Sequence, residues 1–353
     1  MNFETYQNTL HKLLTHFSTR SITSENCLSN HLSALIAETM ASSYKLLDAL
    51  PTSVPTTHFE IQTNPFSIKQ YEKHKDYSYL SPLADIYEIV KNELSPFVDG
   101  FYLHGSLATM DYVKGWSDVD TFAVLSRETV TSLSSLLKLR PIFYKIHDLM
   151  KTIAPLQHHG VLVTTAIDFK SYDESILPLK VFERMKLMAG KEQQIKGFVK
   201  KSRPDFTQLK NNLKFIIEAN KKGRFEHHAY SDEYLLSEYR NARNGMYQLK
   251  YYLEQFLLLP SLYLTAINKG CYKKDSFAKV RSIFPNVTME WIDLISELRE
   301  EWGKAIGENY EPNEIPAWVR NKIPSDYFMA GANAAEALLE HIKVVEKTAC
   351  VSE

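Results

Sequence analysis

The sequence has few cysteines, glycines and prolines, and it lacks a long hydrophobic run. Its three cysteines, Cys27, Cys271 and Cys350, lie far apart and form no CxxC or Cys/His cluster that would offer a zinc site. The low counts of 12 Gly and 14 Pro exclude collagen-like and low-complexity classes and favour long helices. We therefore expect reduced thiols and a chain with more helix than strand.

The sequence also lacks a segment that resembles a membrane span or a signal peptide. The longest apolar stretch, from Phe256 to Ile267, contains Pro260 and is shorter than the roughly 20 residues that cross a bilayer. Glu4 lies early in the chain, where a signal peptide would have a basic start followed by an apolar core. We expect a cytoplasmic protein without a membrane partner.

What the sequence does contain is ordinary globular composition. Of its 353 residues 44% are hydrophobic, and 41 Lys+Arg against 42 Asp+Glu give a formal net charge of -1. At about 100–200 residues per domain, this length predicts two or three domains, each large enough to fix catalytic side chains in place.

Apolar periodicity divides the chain into three parts. Residues 30–50 and 84–94 have helical spacing, and the stretch between them is either a long functional loop or a wrapping segment. Short apolar runs between 97 and 170 alternate with a helical stretch, as in an α/β unit, and the pattern after Pro178 is helical. We predict an α+β, mostly helical fold with three parts: an N-terminal helical segment with a long loop (1–96), a small α/β core with a mixed sheet (97–190) and a C-terminal helical bundle (191–353).

The strongest chemical signal lies in the segment YLHGSLATMDYVKGWSDVDTFAVL, residues 102–125. A strand leads into a Gly105–Ser106 turn and a short helix, and Asp118 and Asp120 then enter a second strand. Alternation along that strand puts both carboxylates on one face, where their repulsion is costly unless a cation such as Mg²⁺ neutralises it. The glycine permits close backbone approach, and the serine hydroxyl and helix N–H groups suit a phosphate.

Together these four residues resemble the motif of the DNA polymerase beta-like nucleotidyltransferase superfamily. The resemblance implies an enzyme that moves a nucleoside monophosphate from a nucleoside triphosphate, with ATP the expected donor, to an acceptor hydroxyl and releases pyrophosphate. Gly105 and Ser106 would hold the triphosphate. Asp118 and Asp120 would be catalytic and would bind two Mg²⁺ ions together with a third carboxylate on a later strand.

The third carboxylate of this motif binds metal or deprotonates the acceptor hydroxyl. Asp168, at the end of VLVTTAID, is the best placed candidate for this catalytic and metal-binding position, although Asp173 and Glu174 follow it closely. The alternative for Asp168 is a strand-end residue that caps a turn. Three histidines flank strands near the proposed site and are either packing or surface residues or contacts to the nucleotide: His104, His158 and His159.

A second resemblance concerns the bundle. The segment LPSLYLTAINKGCYKKDSFAKVRSIFP, residues 259–285, is similar to the C-terminal helical domain of aminoglycoside nucleotidyltransferases of the spectinomycin/streptomycin type. In that domain a short loop with a Lys-Asp pair precedes a helix that closes over the triphosphate. The resemblance implies that Lys273 or Lys274 reaches a phosphate, and the alternative is a solvated loop.

Charge is uneven along the chain, which leaves the acceptor open. From Lys180 to Arg224 there are thirteen Lys or Arg and four acids, which indicates either solvated helix faces or attraction for an anionic acceptor such as RNA. A polycationic aminoglycoside would instead need an acidic pocket. We therefore keep both a small molecule and RNA as acceptors, and the oligomeric state stays open. The alternative function is a catalytically silent nucleotide-binding or interaction module with the same fold.

Overall fold

The computed structural model describes most of the chain: residues 2–18, 30–73, 77–154, 157, 159–191, 193–200, 204–223, 246–305 and 315–351. These residues form an α+β, mostly helical fold with a mixed sheet, which confirms the predicted fold class. Several sequence features lie outside the described residues: Cys27, the side chain of Cys350, His158, and residues 192, 201–203 and 224 of the basic stretch.

Seven strands form two sheets. Their bounds are β1 (Thr56–Gln62), β2 (Asn64–Pro65), β3 (Val98–Leu103), β4 (Thr121–Leu125), β5 (Leu162–Thr165), β6 (Lys186–Gly190) and β7 (Gln194–Lys200). Five of them make a mixed sheet in the order β2-β6-β3-β4-β5, and β1 pairs with β7 in a separate antiparallel ribbon. Because β4 is antiparallel to β3 and parallel to β5, the end of β3 meets the beginnings of β4 and β5 at one sheet edge.

The helices of the first half pack against this sheet. Their bounds are α1 (Phe3–Ser18), α2 (Asn30–Ala49), α3 (Ile68–Glu72), α4 (Tyr77–Leu80), α5 (Pro82–Ile89), α6 (Gly105–Thr109), α7 (Arg127–Val130), α8 (Leu133–Ile153) and α9 (Leu179–Phe182). A π-helical turn follows α5 at Val90–Leu94, and 3-10 turns lie at Ser95–Phe97 and Asp168–Lys170.

The residues before 97 share their core with the α/β unit. Phe3 and Leu14 of α1 lie in the same buried cluster as Phe101 of β3 and Phe143 of α8. The stretch between α2 and α5 supplies β1 and β2, which pair with β7 and β6. The N-terminal segment is therefore part of the structure that supports the sheet.

The described residues from 204 onwards form a helical bundle. Its helices are α10 (Thr207–Lys222), α11 (Met246–Ala266), α12 (Lys273–Val280), α13 (Asn286–Ala305), α14 (Ala317–Arg320) and α15 (Tyr327–Val351). Trp116, from the loop between α6 and β4, is buried in the bundle core with its ring 4.9 Å from that of Trp302, edge to face. The loop that leads to Asp118 is thereby anchored in the bundle. Over the described ranges, no helix is long and apolar enough to cross a membrane.

Candidate functional site

A cavity of about 600 Å³ lies between the α/β unit and the bundle. Six of the residues predicted from the sequence line it: Gly105, Ser106, Asp118, Asp120, Lys273 and Lys274. The two lysines follow the aspartates by more than 150 positions in the sequence, so it is the packing of the bundle on the sheet that brings them together. The α/β unit therefore gives the cavity an acidic wall, and the bundle contributes both basic and acidic side chains.

The Gly105 turn lies directly against the Asp120 carboxylate. The backbone N–H of His104 donates to the Asp120 carbonyl at 2.9 Å, which continues the pairing of β3 with β4 up to the turn. Gly105 has φ 63°. A Cβ at this position would overlap Asp120 Oδ2 and would lie 2.7 Å from Asp120 Cγ. Both the backbone conformation and the close approach therefore require glycine.

Asp118 forms a buried ion pair with Lys250 of α11. The Lys250 Nζ lies 2.7 Å from Asp118 Oδ1 and 3.4 Å from Glu254 Oε1. Burial alone would lower the pKa of Lys250, but the charges of Asp118 and Glu254 outweigh it and raise that pKa above its usual value. Lys250 is therefore an ammonium at the base of the acidic wall.

His159 joins the acidic pair on its other side. Its Nε2 lies 3.2 Å from Asp120 Oδ1 and 4.0 Å from Asp118 Oδ2. Burial opposes the charge on the imidazole, but the hydrogen bond and charge of Asp120, with the charge of Asp118, raise the pKa of His159 to about 9. At neutral pH this side chain is an imidazolium that offsets part of the acidic charge.

The expected convergence of Asp168 with the other two aspartates is wrong. Phe122 pairs with Leu162 and Leu125 with Thr165 in the parallel β4–β5 pair. Asp118 and Asp120 precede β4, whereas Asp168 follows β5, so they lie at opposite ends of these strands. The residues beside Asp120 in this register are the ones just before Leu162, which include His159.

The contacts of Asp168 are those of a structural residue. It is fully buried, and its Oδ2 accepts hydrogen bonds from the Thr165 N–H at 2.9 Å, the Thr165 hydroxyl at 2.9 Å and the Thr164 hydroxyl at 3.2 Å. Its Oδ1 accepts from Gln7 Nε2 of α1 at 3.1 Å. Asp168 thus lies at the end of β5 and links α1 to that strand. This agrees with the alternative interpretation of Asp168 as a strand-end residue that caps a turn.

The two neighbours of Asp168 lie beyond the same end of β5 and have other partners. Asp173 forms an ion pair with Lys200, and Glu174 Oε1 accepts from the Leu179 N–H at 2.9 Å. Neither lines the cavity.

Two carboxylates with different partners do not form a preformed metal cage. No group of three or more His, Cys, Asp or Glu side chains in the described part of the chain is placed to hold a metal ion. Magnesium, however, is commonly held by one or two carboxylates and by substrate phosphates. The donor set of Asp118 and Asp120 therefore fits a Mg²⁺ ion that arrives with a triphosphate.

Lys273 and Lys274 are the first two residues of α12, whereas the resemblance implied a loop before the helix. Burial is the main cause that lowers the pKa of Lys273, and the nearby Glu254 carboxylate acts in the opposite direction. The Lys274 Nζ lies 3.4 Å from Asp111 Oδ2 and is largely exposed. The hydroxyls of Tyr272 and Thr109 lie 2.8 Å apart, which ties α12 to α6.

Six described lysines and arginines of the basic stretch are in ion pairs. Their partners are acids of several elements: Lys180–Glu183, Arg184–Asp275, Lys191–Asp99, Lys200–Asp173, Lys210–Glu346 and Lys222–Glu218. None of the residues from 180 to 224 that the structure describes lines the cavity. Most of the described basic charge is therefore balanced by nearby acids. This agrees with the alternative that the stretch forms solvated helix faces.

Sequence reasoning missed Lys250 and Glu254 and gave His159 no specific partner. Lys250 and Glu254 are four residues apart on α11, in the otherwise apolar run KYYLEQFLLL, and a charged pair within such a run is a signal that could have been used. No known protein family, curated protein or solved structure matches this chain. The chemistry of the cavity is therefore the basis for a functional assignment.

Proposed function

We propose that this chain is a Mg²⁺-dependent nucleotidyltransferase. It would move a nucleoside monophosphate from a nucleoside triphosphate, with ATP the expected donor, to a hydroxyl group and release pyrophosphate. The observation that carries the proposal is that the Gly105–Ser106 turn, the Asp118/Asp120 pair and Lys273 face one cavity. The turn can bind phosphate oxygens, the adjacent carboxylates can hold a metal ion, and the basic side chains opposite them can offset phosphate charge. Together these groups suit a metal-bound polyphosphate.

Each group would have a distinct task in this reaction. The Ser106 hydroxyl and the backbone at Gly105 would bind phosphate oxygens, and Lys273 would offset the charge of the triphosphate from the bundle side. Asp118 and Asp120 would hold Mg²⁺, which when bound polarises the α-phosphate and offsets charge on pyrophosphate. The acceptor oxygen would bond to the α-phosphorus as its proton passes to solvent water, and the bond from that phosphorus to the oxygen bridging to the β-phosphate would break, so that pyrophosphate leaves with that oxygen.

The acceptor that best suits the cavity is a small molecule. The cavity is bounded on one side by the sheet edge and on the other by α11, α12 and α13. The described residues of its wall alternate in charge, with Asp293 beside Arg281 and Glu300 beside Arg299, whereas an RNA backbone calls for a continuous basic surface. We further propose a cytoplasmic enzyme, consistent with the free, buried Cys271.

A nucleotide-binding module without turnover is the second candidate. It is favoured by one observation, the position of Asp168 at the far end of β5, which leaves only Asp118 and Asp120 of the three predicted aspartates in the cavity. In this alternative the triphosphate would bind in the same cavity and stay intact.

A transfer assay with labelled substrate separates the two candidates. The protein is incubated with Mg²⁺, each α-labelled triphosphate and a small-molecule extract, and the label is followed into new products. The proposal predicts a labelled adduct and pyrophosphate with the wild type, and neither with Asp120→Asn. Asp99→Asn is the matched control, because Asp99 is a half-buried carboxylate that pairs with Lys191 away from the cavity. Saturable nucleotide binding without any product would support the silent module.

A further inference from the structure

Lys250 brings a basic side chain to the acidic pair of the candidate site. Its side chain is only 2% exposed, and its Nζ lies 2.7 Å from Asp118 Oδ1 and 3.4 Å from Glu254 Oε1. Lys250 belongs to the bundle and Asp118 to the α/β unit, so the ion pair joins the two walls of the cavity. A buried ammonium is retained only where carboxylates compensate for its lost hydration.

The position of Lys250 limits what else Asp118 can bind. Two adjacent carboxylates repel each other unless positive charge compensates for them. In a site with two metal ions, the ions provide that positive charge. Here Asp118 Oδ1 already has the Lys250 ammonium as a partner. Asp168 lies at the other end of β5, and Glu254, a carboxylate of the bundle that lines the same cavity, also has Lys250 as its partner.

We propose that Lys250 is a positioning residue that takes the place of the second metal ion. This inference rests on the proposed function. Lys250 fixes the orientation of the Asp118 carboxylate and offsets its repulsion with Asp120. The site then binds one divalent ion with each triphosphate, and the ammonium provides the other charge.

The test counts bound ions and does not depend on turnover. Mn²⁺ is titrated into the protein in the presence of a non-hydrolysable nucleoside triphosphate analogue, and electron paramagnetic resonance gives the number of protein-bound ions per chain. The wild type is expected to hold one Mn²⁺ at the carboxylates. Lys250→Met is expected to hold two, because Asp118 and Glu254, which both line the cavity, lose the ammonium between them and can hold the second ion. Lys250→Arg, which keeps the charge, is expected to restore the count of one.

Lys210→Met is the matched control, because it removes a lysine that pairs with Glu346 in the bundle, outside the cavity. Its count should equal that of the wild type. Two ions in the wild type, or one ion in a folded Lys250→Met, would overturn the inference and leave the proposed function standing. If Lys250→Met does not fold, the wild-type count still decides. An absence of any nucleotide-dependent Mn²⁺ binding in the wild type would refute the proposed function itself.

Discussion

Replacing Gly105 with alanine perturbs the centre of the candidate site by one methyl group. Gly105 has φ 63°, a left-handed conformation that costs an L-residue about 1–2 kcal/mol. The new Cβ would also overlap Asp120 Oδ2 and lie 2.7 Å from Asp120 Cγ. The Asp120 carboxylate must then move from its present position beside the turn.

Gly223→Ala separates these two effects. Gly223 has φ 63° as well, but no atom of the described residues lies within 4 Å of a Cβ built there. Both variants should lose about 1–2 kcal/mol of unfolding free energy from backbone strain, which a domain with about 5–15 kcal/mol survives. Only Gly105→Ala should also lose a charge-assisted contact to the nucleotide, about 1.5–3 kcal/mol, or roughly 10- to 100-fold in affinity.

The measurements are chemical denaturation for stability and calorimetry with a Mg²⁺–triphosphate analogue for affinity. We expect a lower denaturation midpoint for Gly105→Ala than for Gly223→Ala, because its Cβ also displaces Asp120 from His159, and weaker binding for Gly105→Ala alone. Wild-type affinity for the analogue in a folded Gly105→Ala would show that the turn does not bind phosphate. The Asp120 carboxylate would then have moved with no effect on nucleotide binding.

Other perturbations test the division between structural and functional residues. Asp168→Ala should lower the unfolding free energy by about 1–3 kcal/mol, because it leaves the Gln7 amide and the strand-end donors unpaired, while calorimetry should show unchanged nucleotide affinity. Trp116→Ala should cost about 3–5 kcal/mol in a denaturant titration by removing the contact with Trp302, and the released loop should weaken nucleotide binding through Asp118. RNA binding should be weak in a fluorescence titration at physiological salt. Tight binding that falls steeply as salt rises would contradict a small-molecule acceptor.

Much of the fold follows from local patterns in the sequence. The apolar spacing from Asn30 onwards predicts a helix that the structure has at Asn30–Ala49, and the runs around the motif become β3, β4 and β5. The Gly105–Ser106 turn and the Asp118/Asp120 pair are separated by one short connection in the sequence. Their position in one cavity could therefore be predicted from the sequence pattern.

The remaining features depend on contacts that a sequence pattern does not specify. The prediction for Asp168 is wrong because this residue follows β5, whereas Asp118 and Asp120 precede β4, and the two strands are parallel. Lys250 reaches Asp118 across 132 positions, and only the docking of α11 on the sheet edge brings the two together. His159 follows from the β4–β5 register, because the residues before Leu162 lie beside those before Phe122.

In the proposed function, a metal-bound triphosphate occupies the cavity between the sheet edge and the bundle. Crystals grown with Mn²⁺ and a non-hydrolysable triphosphate analogue test this claim directly through the anomalous signal of the metal. We predict a Mn²⁺ peak in contact with Asp118 or Asp120 and phosphate density against Gly105 and Ser106. Nucleotide density elsewhere on the protein, or a metal peak away from both aspartates, would contradict the account.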